Sequence, residues 1–117
     1  MCVIVISMWT VLYLPEAEAE RGGLEPKEKA ALINADRKLA ALGPNLPYPH
    51  SSAVRGAERL RELRPRGGRS AWRALYRQVG SVFVVAAIAP EAQVDRRAFA
   101  AACRQAEKRL VHIEDQE

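Results

Sequence analysis

Arginine is concentrated in one stretch of this chain. Residues 51–80 contain eight arginines, no lysine and two glutamates, a net charge of +6, whereas the whole chain carries +4. The eight are Arg55, Arg59, Arg61, Arg64, Arg66, Arg69, Arg73 and Arg77. A guanidinium stays charged at any working pH and can bind phosphate through two parallel hydrogen bonds. This local charge favours a partner that carries phosphates or acidic groups, although an ordinary solvated face would have the same composition.

A predicted strand over residues 71–79 divides these side chains between two faces. Its alternation places Arg73, Leu75 and Arg77 on one face, and the intervening residues, Tyr76 among them, on the other. Guanidinium groups on one face of a strand can hold a nucleic-acid backbone and stabilise the extra charge of a pentacovalent phosphate. We therefore predict that the arginine-rich strands form a phosphate-binding surface.

Arg64 ends the strand that precedes a Gly67-Gly68 turn, so it is expected to converge with Arg73 at one end of the hairpin. These two arginines are the leading candidates for catalysis. The candidates for binding RNA or phosphate around them are Arg61, Arg66, Arg69 and Arg77. The alternative is that Arg64 and Arg73 form ordinary ion pairs with Glu62.

Two further side chains enter the candidate catalytic set. His50 lies in a proline-rich loop before the hairpin, and a histidine can act as general acid or base near neutral pH. The alternative is a surface histidine without a role. Tyr76, like Trp72, is an aromatic neighbour of the arginines that could stack on a base. Alternation, however, favours the core for both aromatic residues.

Hydrophobic periodicity predicts the elements that must position these residues. The order is β-α-α-β-β-β-α, an α+β fold with a small, mainly antiparallel sheet and packed helices in a single domain over residues 1–117. The predicted strands are residues 8–14, 60–64, 71–79 and 82–89, and the predicted helices are 16–21, 26–42 and 95–110. Residues 43–57 are predicted to be an irregular loop, 111–117 a frayed tail, and 1–7 a possible extension of the domain.

Composition narrows the class of protein. The two cysteines, Cys2 and Cys103, have no disulfide-framework or metal-ligand spacing, which favours a reducing cytoplasm. The apolar run from Cys2 to Leu14 is too short for a spanning helix and lacks the features of a signal peptide, so no membrane partner is expected. No glycine-rich phosphate loop, zinc spacing or Ser–His–Asp order occurs, and neither cofactor nor metal is predicted.

The arginine-rich segment resembles the central part of the RelE/ParE superfamily of toxins from type II toxin–antitoxin systems, in particular its phage-related HigB-like branch. In that branch a proline-bearing loop precedes a strand ending in E-L-R, here Glu62-Leu63-Arg64. After a glycine turn comes a strand that reads R-x-x-Y, here Arg73-Ala74-Leu75-Tyr76. The element order is also similar, so the resemblance extends over residues 8–110.

The resemblance implies a toxin that cleaves mRNA on the ribosome and is neutralised by a cognate antitoxin, commonly a helix-turn-helix protein. By position, Arg64 corresponds to the basic residue of the first hairpin strand and Arg73 to the phosphate-binding arginine of the next. The chain departs from the family after the last strand, where residues 89–93 (APEAQ) replace the usual basic or tyrosine residues. This departure leaves the proton-transfer role to His50 or Glu62.

Two other functions stay open. One is a non-catalytic ParE-like toxin that inhibits a protein target such as DNA gyrase, which the missing basic residues favour. The other is an inactive, phage-derived binding module. The arginine-rich hairpin favours the endonuclease.

Overall fold

A computed structural model describes residues 9–114 of the chain. This part contains five strands and three helices in the order β-α-α-β-β-β-β-α, with two short 3-10 turns at Gly43–Asn45 and Pro65–Gly68. The strands are β1 (Thr10–Tyr13), β2 (Ser51–Ala53), β3 (Arg61–Leu63), β4 (Trp72–Val79) and β5 (Val82–Pro90). The helices are α1 (Pro15–Gly22), α2 (Pro26–Leu42) and α3 (Arg96–Glu114).

The strands form one sheet in the order β1-β5-β4-β3-β2. β1 lies parallel to β5, and the three other pairings are antiparallel, so the predicted α+β fold with a mainly antiparallel sheet is confirmed. The β4–β5 ladder carries a β-bulge, because Leu75 opposes Ala87 whereas Tyr76 opposes Val85. Ala86 is the extra residue, and beyond it β5 has no parallel neighbour.

The sheet is covered on both faces. On one face α1 and α2 contribute Ala17, Leu32, Ala35 and Leu39 to a core that includes Tyr76 and Phe83. On the other face the inward side of α3, with Cys103, Ala106 and Leu110, packs on Leu75 and the alanines of β5. The predicted alternation of β4 is therefore confirmed, and the chain has two cores separated by one sheet.

Three predicted details are wrong. The irregular loop over residues 43–57 contains the edge strand β2, whose residues Ser51–Ala53 have low strand propensity and are ordered by pairing with β3. Leu42 continues the helical spacing of apolar residues in the predicted helix 26–42 and is therefore expected to face inward. It is 46% exposed, because the helix ends there and Gly43 turns the chain away. Helix α3 continues through residues 111–114 of the predicted tail; its start is confirmed by the Asp95 carboxylate, which accepts a hydrogen bond from the Ala98 N–H (3.0 Å).

The unpaired part of β5 is closed by side chains from two helices. The Glu20 carboxylate of α1 accepts a hydrogen bond from the Ile88 N–H (3.0 Å), and Arg109 of α3 donates to the Ala86 carbonyl at the bulge (2.7 Å). Arg109 also pairs with Glu20 (3.1 Å). The backbone groups that the bulge leaves without a strand partner are thereby satisfied.

A second polar contact joins β1, α1 and α2. The Tyr13 hydroxyl donates to Asp36 (2.9 Å), and the Arg21 guanidinium lies 4.3 Å from the centre of the Tyr13 ring. Burial is the main reason that the pKa of Asp36 is raised to about 6, and burial together with the Asp36 charge raises the pKa of Tyr13. The contact fixes α2, which forms one wall of the groove described next.

The predicted strand over residues 8–14 is observed at Thr10–Tyr13, and the prediction for residues 1–8 lies outside the described part of the chain. Within that part no helix is both long enough and apolar enough to cross a membrane.

Candidate functional site

A groove of about 410 Å³ lies between α2 and two segments of the chain, the one that leads into β2 and the one that follows β3. Its walls are the exposed side of α2, the loop before β2, and the start of the 3-10 turn after β3. The lining residues are Lys27, Ala30, Ala31, Asn34, Ala35, Lys38, Leu46, His50, Leu63, Arg64 and Arg66. The floor is apolar and the rim is polar.

The rim of the groove is basic. Four cationic side chains and one histidine line it, and none of its eleven lining residues is acidic. Among the described residues, neither Lys27 nor Lys38 forms an ion pair. A concave, low-dielectric surface with one sign of charge concentrates the field for an anionic ligand.

Arg64 is held at the mouth of the groove by three contacts. Its Nε donates to the Pro49 carbonyl (2.9 Å), its Nη1 donates to the Glu62 carboxylate (2.6 Å), and its guanidinium carbon lies 5.1 Å from the Tyr48 ring centre. The remaining nitrogen, Nη2, lies over Gly68, where a Cβ would come within 2.6 Å of it. Within the described residues Nη2 has no hydrogen-bond acceptor, so its donors are not taken by the protein.

His50 is joined to Arg64 through the backbone. The Arg64 N–H donates to the His50 carbonyl (2.8 Å), next to the register pair Ser51–Leu63. The two residues therefore extend the β2–β3 ladder at the end where the groove opens. This pairing brings together two of the four residues predicted to be catalytic, His50 and Arg64.

Arg66 ties the 3-10 turn to the first turn of α2. Its Nη1 donates to the buried Glu28 carboxylate (2.8 Å) and its Nη2 to the Lys27 carbonyl (3.3 Å). The second oxygen of Glu28 accepts from the Ser70 hydroxyl (3.1 Å). Glu28 thus holds the turn against the helix, and Arg66 contributes charge to the groove while anchoring its wall.

Arg73 lies outside the groove, contrary to the expected convergence on a phosphate. Its side chain is 2% exposed and donates to the carbonyls of Gly68, Ser70 and Trp72 and to the Glu91 carboxylate. Glu62 lies 3.5 Å from its Nε. Burial, and next the nearby Arg64 charge, lower the pKa of Arg73. The ion-pair alternative describes Arg73, because protein groups already take its donors.

Tyr76, one of the predicted catalytic residues, lies in the core, as strand alternation indicates. It does not line the groove. Its side chain is 2% exposed, its ring packs edge-on against Phe83, and its hydroxyl lies 2.6 Å from the Ser51 hydroxyl. Trp72 is half-buried against the same core. Tyr76 therefore supports β2 from within, since Ser51 begins that strand.

The remaining predicted phosphate ligands are dispersed. Arg61 donates to the Ser51 hydroxyl (3.1 Å) and begins β3, whereas the groove opens at the other end of that strand. Arg69 is exposed and donates to the Arg66 carbonyl (3.1 Å). Arg77 is 8% exposed and donates to the Glu58 carbonyl (3.1 Å), and burial lowers its pKa. Of the predicted binding set, Arg66 alone lines the groove.

The sequence predictions missed the contribution of α2. Asn34 and Lys38 follow Lys27 by seven and eleven residues, a spacing that places the three side chains on one side of a helix. They form a polar stripe beside the apolar stripe that predicted the helix. That polar stripe is the signal that would have located the second wall.

Comparison with protein families identifies the class. The model of the family described as phage-derived protein Gp49-like (DUF891) matches residues 20–88, which include α2, the groove and most of the sheet. The chain belongs to this Gp49-like family. No curated protein matches the sequence.

Two solved structures share the fold. One is the RelBE2 toxin–antitoxin complex of Mycobacterium tuberculosis, with 18% identity and a TM-score of 0.56 over 71% of this chain and 98% of the other. The second is the E. coli toxin RelE in the free state, with two arginines replaced by alanine. It has 17% identity and a TM-score of 0.57 over 84% of this chain and 97% of the other. The chain is similar to both and has a RelE-like fold.

Proposed function

We propose that this protein is the toxin of a type II toxin–antitoxin system and that it cleaves mRNA bound in the groove. The observation that carries the proposal is the composition of the rim: four cationic side chains and a histidine, with no carboxylate among the lining residues. Such a surface attracts a polyanion through Lys27 and Lys38, while Glu62 and Glu28 offset part of the charge of Arg64 and Arg66. The RelE-like fold and the Gp49-like family support the same assignment.

The reaction is attack of a ribose 2′-hydroxyl oxygen on the adjacent phosphorus. The O2′–P bond forms and the P–O5′ bond breaks, which leaves a 2′,3′-cyclic phosphate and a 5′-hydroxyl. The free Nη2 of Arg64 is placed to stabilise the negative charge that grows on the phosphate oxygens. Lys27 and Lys38 hold the neighbouring phosphates from the opposite wall.

His50 is the proposed proton carrier. It is the one lining residue of a type that takes up and releases a proton near neutral pH. It lies opposite Arg64 at the end of the β2–β3 ladder. Glu62, the other candidate from sequence, is held between Arg64 and Arg73 and does not line the groove. We assign removal of the 2′-hydroxyl proton to His50, which then returns this proton to the departing 5′ oxygen, so that the 5′-hydroxyl forms.

The other predicted residues have supporting roles in this proposal. Arg73 positions Arg64 through Glu62, which both guanidinium groups approach. Tyr76 positions β2 through Ser51. The exposed Arg69, beside the groove turn, is proposed to steer the RNA, whereas Arg61 and Arg77 belong to the framework of the hairpin.

The proposed partners are mRNA, the ribosome on which it is met, and a cognate antitoxin. The neighbouring structure from M. tuberculosis is a toxin–antitoxin complex, which supports an antitoxin for this chain as well. We propose that this antitoxin is a helix-turn-helix protein, that it covers the groove, and that the pair resides in the cytoplasm.

Expression of the chain alone, followed by mapping of mRNA 5′ ends, tests the proposal. We expect growth arrest, cuts at positions fixed within codons, and fragments that carry a 5′-hydroxyl. Arg64→Ala and His50→Gln are expected to abolish the cuts, because one removes the phosphate ligand and the other the proton carrier. Arg55→Ala removes an exposed arginine of the same segment that does not line the groove, and this control is expected to cut normally.

A second candidate is favoured by the surroundings of Glu91. This residue stands where the RelE/ParE toxins commonly carry basic or tyrosine residues, and its carboxylate pairs with Arg73 (2.6 Å). A non-catalytic, ParE-like toxin that inhibits DNA gyrase fits this substitution. Growth arrest with intact mRNA and induced DNA damage would replace the first proposal by this one, and unimpaired growth would favour an inactive binding module.

A further inference from the structure

Tyr48 is a large aromatic side chain with no packing role in either core. It is 70% exposed, the highest value among the exposed large apolar residues of the described chain, and it belongs to neither core cluster. One contact of its ring is with Arg64, whose guanidinium carbon lies 5.1 Å from the ring centre. The ring therefore stands at the mouth of the groove beside the proposed phosphate ligand.

The loop around Tyr48 is fixed on both sides. Pro47 and Pro49 restrict the backbone of the residue between them. The Pro47 carbonyl accepts a hydrogen bond from the His50 N–H (2.9 Å), and the Pro49 carbonyl accepts one from Arg64 Nε (2.9 Å). Arg64 thus contacts the loop through both its hydrogen bond and its cation–π contact. The backbone that carries the ring is therefore held in place, and one face of the ring lies next to Arg64.

A planar, exposed aromatic ring next to a cationic side chain matches the way in which single-stranded nucleic acid is bound. Each base presents a flat face that can stack on an aromatic side chain, while guanidinium and ammonium groups hold the backbone. In a duplex the base faces are covered by their neighbours, so such a ring selects an unpaired nucleotide.

We propose that Tyr48 is a specificity-determining residue that stacks on an unpaired nucleobase next to the phosphate bound by Arg64. The inference rests on the proposed function and deepens it, because it names the substrate class as a single strand with at least one splayed base. One face of the ring meets Arg64 and the rest of the ring, largely open to solvent, receives the base.

Binding to a 2′-O-methyl RNA single strand tests this, since that strand lacks the attacking hydroxyl and stays intact. A base–aromatic stack contributes about 1–3 kcal/mol, which corresponds to about 5- to 150-fold in affinity. Tyr48→Ala is expected to weaken binding by that factor, whereas Tyr48→Phe and Tyr48→Trp keep most of it. Val94→Ala, which truncates a 60% exposed residue elsewhere, is the matched control and leaves affinity unchanged.

A strand of equal length with one abasic position separates stacking from charge. At the contacted position the abasic strand is expected to bind the unaltered protein as weakly as the intact strand binds Tyr48→Ala, with no further loss when both changes are combined. An equal loss for Tyr48→Ala on a fully abasic strand would overturn the proposal, because the ring would then act on Arg64 alone. Equal affinity of Tyr48→Ala and unaltered protein for the intact strand would overturn it too.

Failure of the proposed function has a different signature. If the unaltered protein binds neither strand, the groove is not an RNA site and both proposals fall. If Arg64→Ala weakens binding and Tyr48→Ala does not, the groove stands and only the stacking role is lost. Thermal unfolding of each variant checks that the protein compared is folded.

Discussion

Charged side chains serve opposite purposes in two regions of this molecule. In the groove, Lys27 and Lys38 are exposed, Arg64 keeps one nitrogen without an acceptor among the described residues, and no carboxylate is among the lining residues. In the next strand, β4, Arg73 is almost fully buried, and its N–H groups donate to three carbonyls and to Glu91. Arg64 and Arg73 share Glu62, so the two regions meet at one carboxylate.

The contrast shows that the role of an arginine depends on which groups accept its hydrogen bonds. A buried guanidinium must be satisfied by the protein itself, and once it is satisfied it has no donor left for a ligand. An arginine at the end of a short strand, such as Arg64, keeps part of its donor set open.

Arg73→Ala is expected to give the largest loss of stability. The substitution leaves Glu62 and Glu91 without their buried counter-charge and removes a hydrogen-bond donor from three carbonyls, and breaking a buried pair costs about 3–5 kcal/mol. Urea denaturation measures the loss. Arg64→Ala, the matched groove variant, is expected to change the unfolding free energy by only about 1 kcal/mol. Equal losses for the two variants would erase the distinction between the regions.

The Asp36 contact is expected to make the unfolding free energy depend on pH. The folded-state pKa is about 6, above the value of about 3.9 for an unfolded aspartate, so the folded state binds the extra proton between these values. Its stabilising contribution is complete below about pH 4 and is lost as the pH rises through 6, by about 1–3 kcal/mol.

Comparison with Asp36→Asn isolates this contribution, because the amide cannot titrate. The unfolding free energy of the unaltered protein relative to the variant should fall by that amount between pH 4 and pH 7, as measured by urea denaturation at each pH. A constant difference across the window would mean that Asp36 titrates normally in the fold.

Gly68→Ala is expected to uncouple affinity from stability. Its φ of +95° is strained for any residue with a Cβ, which costs about 1–2 kcal/mol, and the new Cβ would displace the Arg64 guanidinium. Gly80→Ala is the control, since Gly80 also has a positive φ (+63°) but nothing within 4 Å of a Cβ. Both variants should lose stability, whereas only Gly68→Ala should lose affinity for single-stranded RNA. Equal RNA affinity in the two variants would show that the position of Arg64 is unimportant.

Replacement of Lys27 and Lys38 by alanine is expected to have the smallest effect on folding, within about 0.5 kcal/mol. The binding of single-stranded RNA should nevertheless become less salt-dependent, because each lost phosphate contact reduces the slope of log K against log [salt] by about 0.7. A reduction of about 1.4 for the double variant is the expected result of a salt titration. An unchanged slope would place the RNA elsewhere on the surface.

The larger part of the fold was predictable because local signals agreed with the packing. Alternation in residues 71–79 separated Leu75 from Tyr76 correctly, and Pro26 and Gly43 bounded α2 as expected. The strand β2 was missed, because Ser51–Ala53 has no strand-forming residue type and exists through its pairing with β3 and the Ser51–Tyr76 contact.

The site was less predictable than the fold, for a physical reason. Strand alternation tells which face Arg73 occupies, but not that Glu91, eighteen residues away, would take its donors. The opposite wall comes from α2, which is remote in sequence from the arginine-rich segment, and only the tertiary fold brings Lys27 and Lys38 towards Arg64. Sequence located the charge, and folding decided which charges remain available.

The pairing of the Arg64 N–H with the His50 carbonyl has a consequence for how the site can vary. Strand spacing sets the separation of these two residues, whatever the position of α2. Substitution of the helix lysines, or a shift of the helix on binding a partner, therefore leaves the geometry of the His50–Arg64 backbone pair unchanged. Under the proposed function, the residues assigned to catalysis and those assigned to RNA affinity can then vary separately, because the His50–Arg64 pairing does not involve the helix.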